Sequence, residues 1–331
     1  MTSFHLLVVI VVISLAFDFT NGWHDAASSI ATIVSTRVLR PLWAVAWAAF
    51  WNFVAPLLFG TAVAATMGKG LVRLNLVNQQ VLLAGLLGAI IWNYATIRMG
   101  LPCSSSHALM GGYGGAAVAA VGFRAIILSG WVKPVIFIFI GPVIGMTAGI
   151  IVTALTSWVV RNQSPQKVDR WFRRLQLVSA GAFSFSHGTN DAQKSMGIIT
   201  AALVTGGVIS TYRVPSWVIM SCALAMAGGT MAGGWRVVKT MGQRITKLNP
   251  FGGFAAETSA AMTLFGTAAA GIPVSSTHVI TGAISGVGAT RRFTAVRWGV
   301  TRHIVWAWVL TIPGAALMGA LFHFLFLSRI H

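Results

Sequence analysis

Long apolar runs recur along the chain, each ended by a short polar or basic cluster. A membrane-spanning helix needs about 20 predominantly apolar residues. On that measure the first half offers crossings near 4–36, 42–66, 80–98, 104–122 and 134–160, and the second near 176–208, 215–236, 254–270, 276–290 and 303–327. The first and sixth runs are long for one crossing. Each holds an acidic motif, "FTNGWHDAASS" from Phe19 and "FSHGTNDAQKS" from Phe185. Helices broken at Gly22 and Gly188 are expected there, because glycine gives the backbone room. The pattern predicts an all-α, polytopic membrane protein of about ten transmembrane segments, with broken or re-entrant helices at the centre.

Charge fixes the sidedness. Only 8% of residues are charged, against about 25% in a soluble domain, so this chain has too little charge to cover a water-exposed surface. The five carboxylates are Asp18, Asp25, Asp169, Asp191 and Glu257, and 23 Lys and Arg leave a net charge of +18. Such a balance marks some nucleic-acid binders, but here the cations sit between apolar runs and follow the positive-inside rule. Nucleic acid is not an expected partner; the lipid bilayer is. With Arg161, Lys167, Arg170, Arg173 and Arg174 on the cytoplasmic side, alternation brings in Arg37, Arg40 and the clusters within 236–247 and 291–302. Fewer cations (Lys69, Arg73, Arg124, Lys133, Arg213 and Arg329) fall on the other side. Ten crossings with both termini outside satisfy this arrangement; the alternative makes two short segments re-entrant hairpins. The start lacks a basic n-region and a clear cleavage site, so it reads as a retained helix. Cys103 and Cys222 form neither a disulfide framework nor a CxxC site and read as small apolar packing groups.

The two acidic motifs align with each other: Phe19, Gly22, Asp25, Ala26 and Ser29 fall opposite Phe185, Gly188, Asp191, Ala192 and Ser195. A second pair follows in the same order, "PCSSSHALMGG" from Pro102 and "PVSSTHVITGA" from Pro273, at offsets of 166 and then 171 residues. Two such matches indicate an internal duplication. Five segments in the first unit make the copies enter the membrane from opposite sides, the inverted repeat common in secondary transporters. The expected organisation is a first repeat over 1–160, a basic cytoplasmic linker over 161–175 and a second repeat over 176–331.

Irregular backbone at membrane depth survives only inside protein or along a cavity. Breaks before the serine clusters, where Pro102 and Pro273 remove a donor, expose N–H groups that favour an anion. Ser104, Ser105, Ser106, Ser275, Ser276 and Thr277 add hydroxyls suited to a compact oxyanion or a small cation. Asp25 and Asp191 repel an anion and are costly in a dry site, so they read as coupling residues that bind a metal ion or take up a proton. Asp18 stands opposite Ser184, and function and a structural hydrogen bond compete for it. Glu257 reads as the edge of the site, with pairing to the basic loop as the alternative. His24 is a candidate for proton relay or metal binding. For His107 and His278, a helix-breaking hydrogen bond competes with proton transfer. Lys194, three residues after Asp191, either pairs with that carboxylate or offers charge to the anion. No G-x-S-x-G, H-E-x-x-H or Walker motif is present, so an enzyme is not expected and uphill movement needs an ion gradient or a partner.

Through "NGWHDAASSIAT", "FSHGTNDAQKSMGII", the two serine motifs and "AETSAA" around Glu257, the chain resembles the inorganic phosphate transporter (PiT) family over nearly its whole length. His24 resembles the bacterial low-affinity permease branch, which moves phosphate with protons, often as a neutral metal–phosphate complex. The resemblance implies that one phosphate binds near the centre of both halves. Its ligands would be Asn21, Asp25, Asn190 and Asp191 with Ser104, Ser105, Ser106, Ser275, Ser276 and Thr277. Glu257 would belong to a neighbouring cation site, in a coupling set of Asp18, His24, Asp25, Asp191 and Glu257. Ser28 stands where the family has Asn, which leaves the coupling ion open. The expected function is import of inorganic phosphate by cation symport, with H+ as the coupling ion and no resident cofactor. A divalent metal as companion of phosphate is left open. The alternatives are Na+ coupling, another tetrahedral oxyanion such as sulfate, and a non-transporting phosphate sensor. Carriers of this kind often pair, so a homodimer is allowed. The expected location is the cell membrane, as a multi-pass protein of a bacterial inner membrane.

Overall fold

A computed structural model describes residues 3–327. Residues 1–2 and 328–331, Arg329 among them, lie outside the described residues. The chain is built from helices α1 (Ser3–Ser35), α2 (Pro41–Leu58), α3 (Ala62–Lys69), α4 (Gln79–Met99), α5 (Ser105–Val121) and α6 (Leu128–Val160). There follow α7 (Pro165–Thr205), α8 (Ser216–Ala232), α9 (Trp235–Lys239), α10 (Pro250–Ala269), α11 (Ser276–Arg291) and α12 (Trp298–Phe322). A π-turn, Thr240–Arg244, continues α9.

The helices pack in matched pairs. Helix α1 lies against α8 and α4, as α7 lies against α2 and α10. The last long helix of each half covers the other half's hairpin: α6 packs on α11 and α10, and α12 on α5 and α4. These reciprocal contacts are those of an inverted repeat.

Two expectations need correction. Helices α1 and α7 run unbroken for 33 and 41 residues, so neither Gly22 nor Gly188 interrupts its helix. Both glycines instead permit close helix crossing. A Cβ at Gly22 would run into the Met226 carbonyl of α8, and one at Gly188 would lie 2.8 Å from the Asn52 carbonyl oxygen of α2. Small residues that let backbones approach are the usual means of association where lipid competes equally for apolar groups. Breaks fall instead in the following segments. The run expected as one crossing over 42–66 divides into α2 and α3, and its counterpart bends by 62° between α8 and α9, where Gly233 has φ +65°.

The second correction concerns 161–175. Only 161–164 is non-helical, because Pro165 opens α7; proline's fixed φ and missing N–H suit the first helical turn. The basic residues therefore sit on the exposed start of α7, where Arg173 Nε donates to Asp169 Oδ2 at 2.9 Å.

Pro102 and Pro273 mark real breaks. Gly100 ends α4 in the left-handed region at φ +69°, and α5 begins three residues after Pro102. Gly271 at φ +65° and Pro273 lie between α10 and α11 in the same way. Thus α4–α5 and α10–α11 are two hairpins. Thr66 Oγ1 of α3 donates to the Gly271 carbonyl at 2.9 Å, and Thr240 Oγ1 donates to the Gly100 carbonyl at 3.1 Å. Each tip is pinned by the other half's broken segment.

Among the described residues, five helices are long and apolar enough to cross a membrane, or six if the bent α8–α9 pair forms one span. Helices α5 and α11 fall outside that measure at 17 and 16 residues, whereas α7 and α10 are long enough but carry too many polar residues. The outward faces of α6 and α12 are apolar, with Phe139, Val143, Leu310 and Leu317 exposed to the surroundings, as a lipid-facing surface requires.

Replacing Gly22 by valine should destabilise the α1–α8 crossing by about 1–3 kcal/mol, the usual cost of overpacking. Thermal unfolding in detergent measures it; an unchanged melting profile would contradict the close approach.

Candidate functional site

The helices bring the two acidic motifs together at the centre. One carboxylate oxygen each from Asp25 and Asp191, with a ring nitrogen of His187, all lie within 4.8 Å of one another. All three residues are buried. Asp25 comes from α1 and Asp191 from α7, so each half of the chain supplies one acid.

The hairpins deliver their first helical turns to this centre. Ser104 and Ser275 cap α5 and α11, their hydroxyls accepting from the backbone N–H groups of His107 (3.2 Å) and His278 (3.3 Å). A serine N-cap satisfies one of the unpaired donors of the first turn. These two serines are thereby engaged in holding the turns. The His107 and His278 rings meet at 4.9 Å, and His278 stacks on Trp308 at 3.9 Å. Trp308 Nε1 in turn donates to the Pro102 carbonyl at 3.0 Å. The two histidines thus join the hairpin turns to each other and to α12.

Around Asp25, Thr277 Oγ1 donates to Oδ1 at 3.3 Å, and the Ser28 and Thr277 hydroxyls are 3.0 Å apart. His24 Nδ1 lies 2.8 Å from the same Oδ1, and its Nε2 lies 3.2 Å from the Leu101 carbonyl. Nε2 also lies 3.5 Å from the Thr96 hydroxyl, and the short Nδ1–Oδ1 contact holds a proton between ring and carboxyl.

Around Asp191, Lys194 Nζ donates to Oδ1 at 2.6 Å and also to the Ser106 hydroxyl. His187 Nδ1 lies 3.1 Å from Asn52 Oδ1, whose amide nitrogen donates to Thr230 Oγ1 at 3.0 Å. That chain puts a hydrogen on Nδ1, and Nε2 lies 3.6 Å from Asp191 Oδ2. Neither Nε2 nor Oδ2 has a hydrogen-bond partner. Two carboxylate oxygens and an imidazole nitrogen at this separation suit a divalent transition metal, and the same three atoms suit a shared proton.

The remaining expected residues divide. The Asn21 and Asn190 side chains are buried with both amide atoms unpaired, and the Ser105 hydroxyl is likewise buried and unpaired. These groups are available to a ligand, since buried polar groups are otherwise satisfied. Ser276 is buried beside Ser275. Glu257 and Asp18 sit in clusters of their own. Glu257 accepts from Thr32 Oγ1 (2.5 Å), Ser179 Oγ (2.5 Å) and Gln176 Nε2 (3.1 Å). Asp18 Oδ1 accepts from Ser195 Oγ at 2.5 Å, and its Oδ2 is unpaired. Sequence reasoning missed His187, Thr32, Gln176 and Ser179. His187 had a signal, because it stands opposite Asn21 in the repeat alignment. The three residues around Glu257 had none beyond their helical spacing.

A cleft of about 660 Å³ opens at the second hairpin tip, lined in part by Thr66, Lys69, Ser129, Lys133, Gly271 and Pro273. None of the five carboxylates of the chain lines it, so its two lysines present unopposed positive charge.

The phosphate transporter family profile matches residues 21–319. The chain belongs to that family. It is 54% identical over 323 residues to a probable low-affinity inorganic phosphate transporter of Rhizobium meliloti (strain 1021), covering 97% of each chain. It is 43% identical over 323 residues to the protein of the same description from Bacillus subtilis (strain 168), again over 97% of each. A solved structure, "The sodium-dependent phosphate transporter", superposes with a TM-score of 0.91 at 24% identity, over 99% of this chain and 100% of that one; this likeness establishes the fold. Family membership carries transport of inorganic phosphate across a membrane, and this member is a transporter, not an enzyme. It is a multi-pass membrane protein, consistent with a bacterial inner membrane.

Asp191→Asn should abolish phosphate uptake. It leaves the buried Lys194 ammonium without its carboxylate, and breaking such a pair costs about 3–5 kcal/mol. Uptake by membrane vesicles, normalised to the amount of protein in the membrane fraction, reads the effect; full uptake would remove Asp191 from the mechanism.

Proposed function

We propose that the protein imports inorganic phosphate by symport with a cation, that the cation is the proton, and that the anion is held where the two halves meet. Asn21, Ser105 and Asn190 supply neutral donors to the phosphate, with Ser276 and the first-turn N–H groups of α5 and α11 beside them. Asp25 and Asp191 serve as cation or proton acceptors and accept from the O–H of a partly protonated phosphate. Asp18 and Glu257 lie off the centre and belong to the path of the coupling ion.

The observation that carries the proton reading is the His24–Asp25 contact. The 2.8 Å contact of His24 Nδ1 with Asp25 Oδ1 sets a base and a carboxylate to share a proton at the centre. A proton taken up there changes the charge facing the phosphate by one unit. The resemblance of the relatives described as low-affinity transporters supports the same substrate. The Asp25, His187 and Asp191 atoms also suit a divalent ion carried in with phosphate as cargo, which lowers the cost of bringing the anion into a dry site.

A second reading is sodium-driven symport. A solved structure of this fold is described as a sodium-dependent phosphate transporter.

Reconstituted protein should show saturable phosphate uptake that collapses when the pH gradient is abolished and is unchanged when sodium is varied at constant pH. Uptake that persists without a pH gradient and requires sodium would replace the first reading by the second. Unlabelled sulfate should not compete with labelled phosphate; competition at equal concentration would broaden the substrate to tetrahedral oxyanions.

A further inference from the structure

The two half-sites are built on one plan and differ by one charge. Under the repeat alignment, Asp25 corresponds to Asp191, Ser28 to Lys194 and Thr277 to Ser106. The contacts correspond as well. In the first half-site Ser28, Thr277 and Asp25 bring three oxygens together: the hydroxyls are 3.0 Å apart, and Thr277 Oγ1 is 3.3 Å from Asp25 Oδ1. In the second, the Lys194 ammonium bridges the Ser106 hydroxyl and Asp191 Oδ1, with the latter contact at 2.6 Å. A carboxylate, a hydroxyl from α1 and a hydroxyl from the facing hairpin make an oxygen cluster suited to a small hard cation. At the matching place in the other half a nitrogen cation is covalently supplied.

We infer that Lys194 is a resident cation, occupying in the second half-site the position that Ser28, Thr277 and Asp25 leave to a mobile cation in the first. This inference deepens the phosphate reading and rests on it. Three observations support it. Lys194 is fully buried, at 0% exposure, although long cationic side chains near membranes normally reach for water. Its ammonium contacts both halves of the chain, α7 through Asp191 and the first hairpin through Ser106. No other Lys or Arg among the described residues is buried.

The consequence concerns how many dissolved cations accompany each phosphate. A fixed ammonium neutralises Asp191 and faces the anion without being released in the transport cycle, so one mobile cation per phosphate is replaced by the protein itself. It also makes the halves inequivalent in charge while keeping them alike in shape.

The test converts the second half-site to the form of the first. Purified wild type, Lys194→Ser and Lys194→Arg are compared for the dissolved cations bound with each labelled phosphate, read as protons taken up in weakly buffered solution and as the slope of log affinity against log sodium at fixed pH and constant ionic strength, with choline as replacement. Lys194→Ser should bind about one more cation per phosphate than the wild type, of the species the wild type uses: one more proton under proton coupling, or a sodium slope greater by about one under sodium coupling. Lys194→Arg, which keeps the charge, should keep the wild-type count. A Lys194→Ser protein that is monodisperse but keeps the wild-type count of both cations, or binds no phosphate under any of these conditions, overturns the inference and leaves the phosphate reading intact. Absence of phosphate binding by the wild type ends both.

Discussion

An ionised carboxylate in a dry, lipid-surrounded interior is tolerated only with charge or hydrogen bonds brought to it. This chain places two of them, Asp25 and Asp191, at the centre of its fold. Much of the surrounding architecture answers that demand. Helices α1 and α7 must run side by side to share the burden. The hairpins must enter far enough for Thr277 and Ser106 to arrive, and the tips must break so that helix N-termini face inward. Had either helix been broken at its glycine, the acids would have lost the rigid frame that sets their separation. The glycines serve packing because unbroken helices leave few backbone groups to satisfy in lipid.

The compensation is symmetric in position and asymmetric in chemistry. Each half contributes one histidine and one asparagine to the centre, but in exchanged places: Asn21 and His24 in the first, His187 and Asn190 in the second. Asp25 receives its neighbour His24, while Asp191 has His187 one turn earlier and Lys194 one turn later. Duplication alone produces two equal sites. Exchange of a few residues turns them into one site with a charged side and an adjustable side, which is what coupled movement of an anion and a cation requires.

Packing locks the halves together around the polar centre. Because α6 covers the second hairpin and α12 the first, each hairpin is packed between its own half's long helix, α1 or α7, and the last helix of the other half. The apolar clusters lie at either side of the polar layer, one around Leu82, Leu109 and Met196 and the other around Ile30, Phe183 and Ile280. Glu257 is ringed by three donors, whereas Asn21, Ser105 and Asn190 keep unpaired polar atoms. The difference separates a carboxylate held in place from groups left for a ligand.

Much of this was legible in one dimension. Apolar run length, the uneven distribution of cations and two repeated polar motifs are local properties, and they sufficed for a membrane fold with an inverted repeat and for most of the central residues. Proline marked both hairpin breaks, each beside a glycine at positive φ, whereas Pro56, Pro134, Pro142 and Pro313 stand inside continuous helices. Glycine did not mark breaks in α1 and α7, because whether it frees a chain or admits a neighbour depends on what packs against it, here Met226 and Asn52. The partner of Lys194 was undecidable for the same reason: both contacts are real, and one crosses 88 positions to Ser106. His187 and the ring of donors about Glu257 come from residues far apart along the chain, and only helices folded against one another bring such groups within hydrogen-bonding reach.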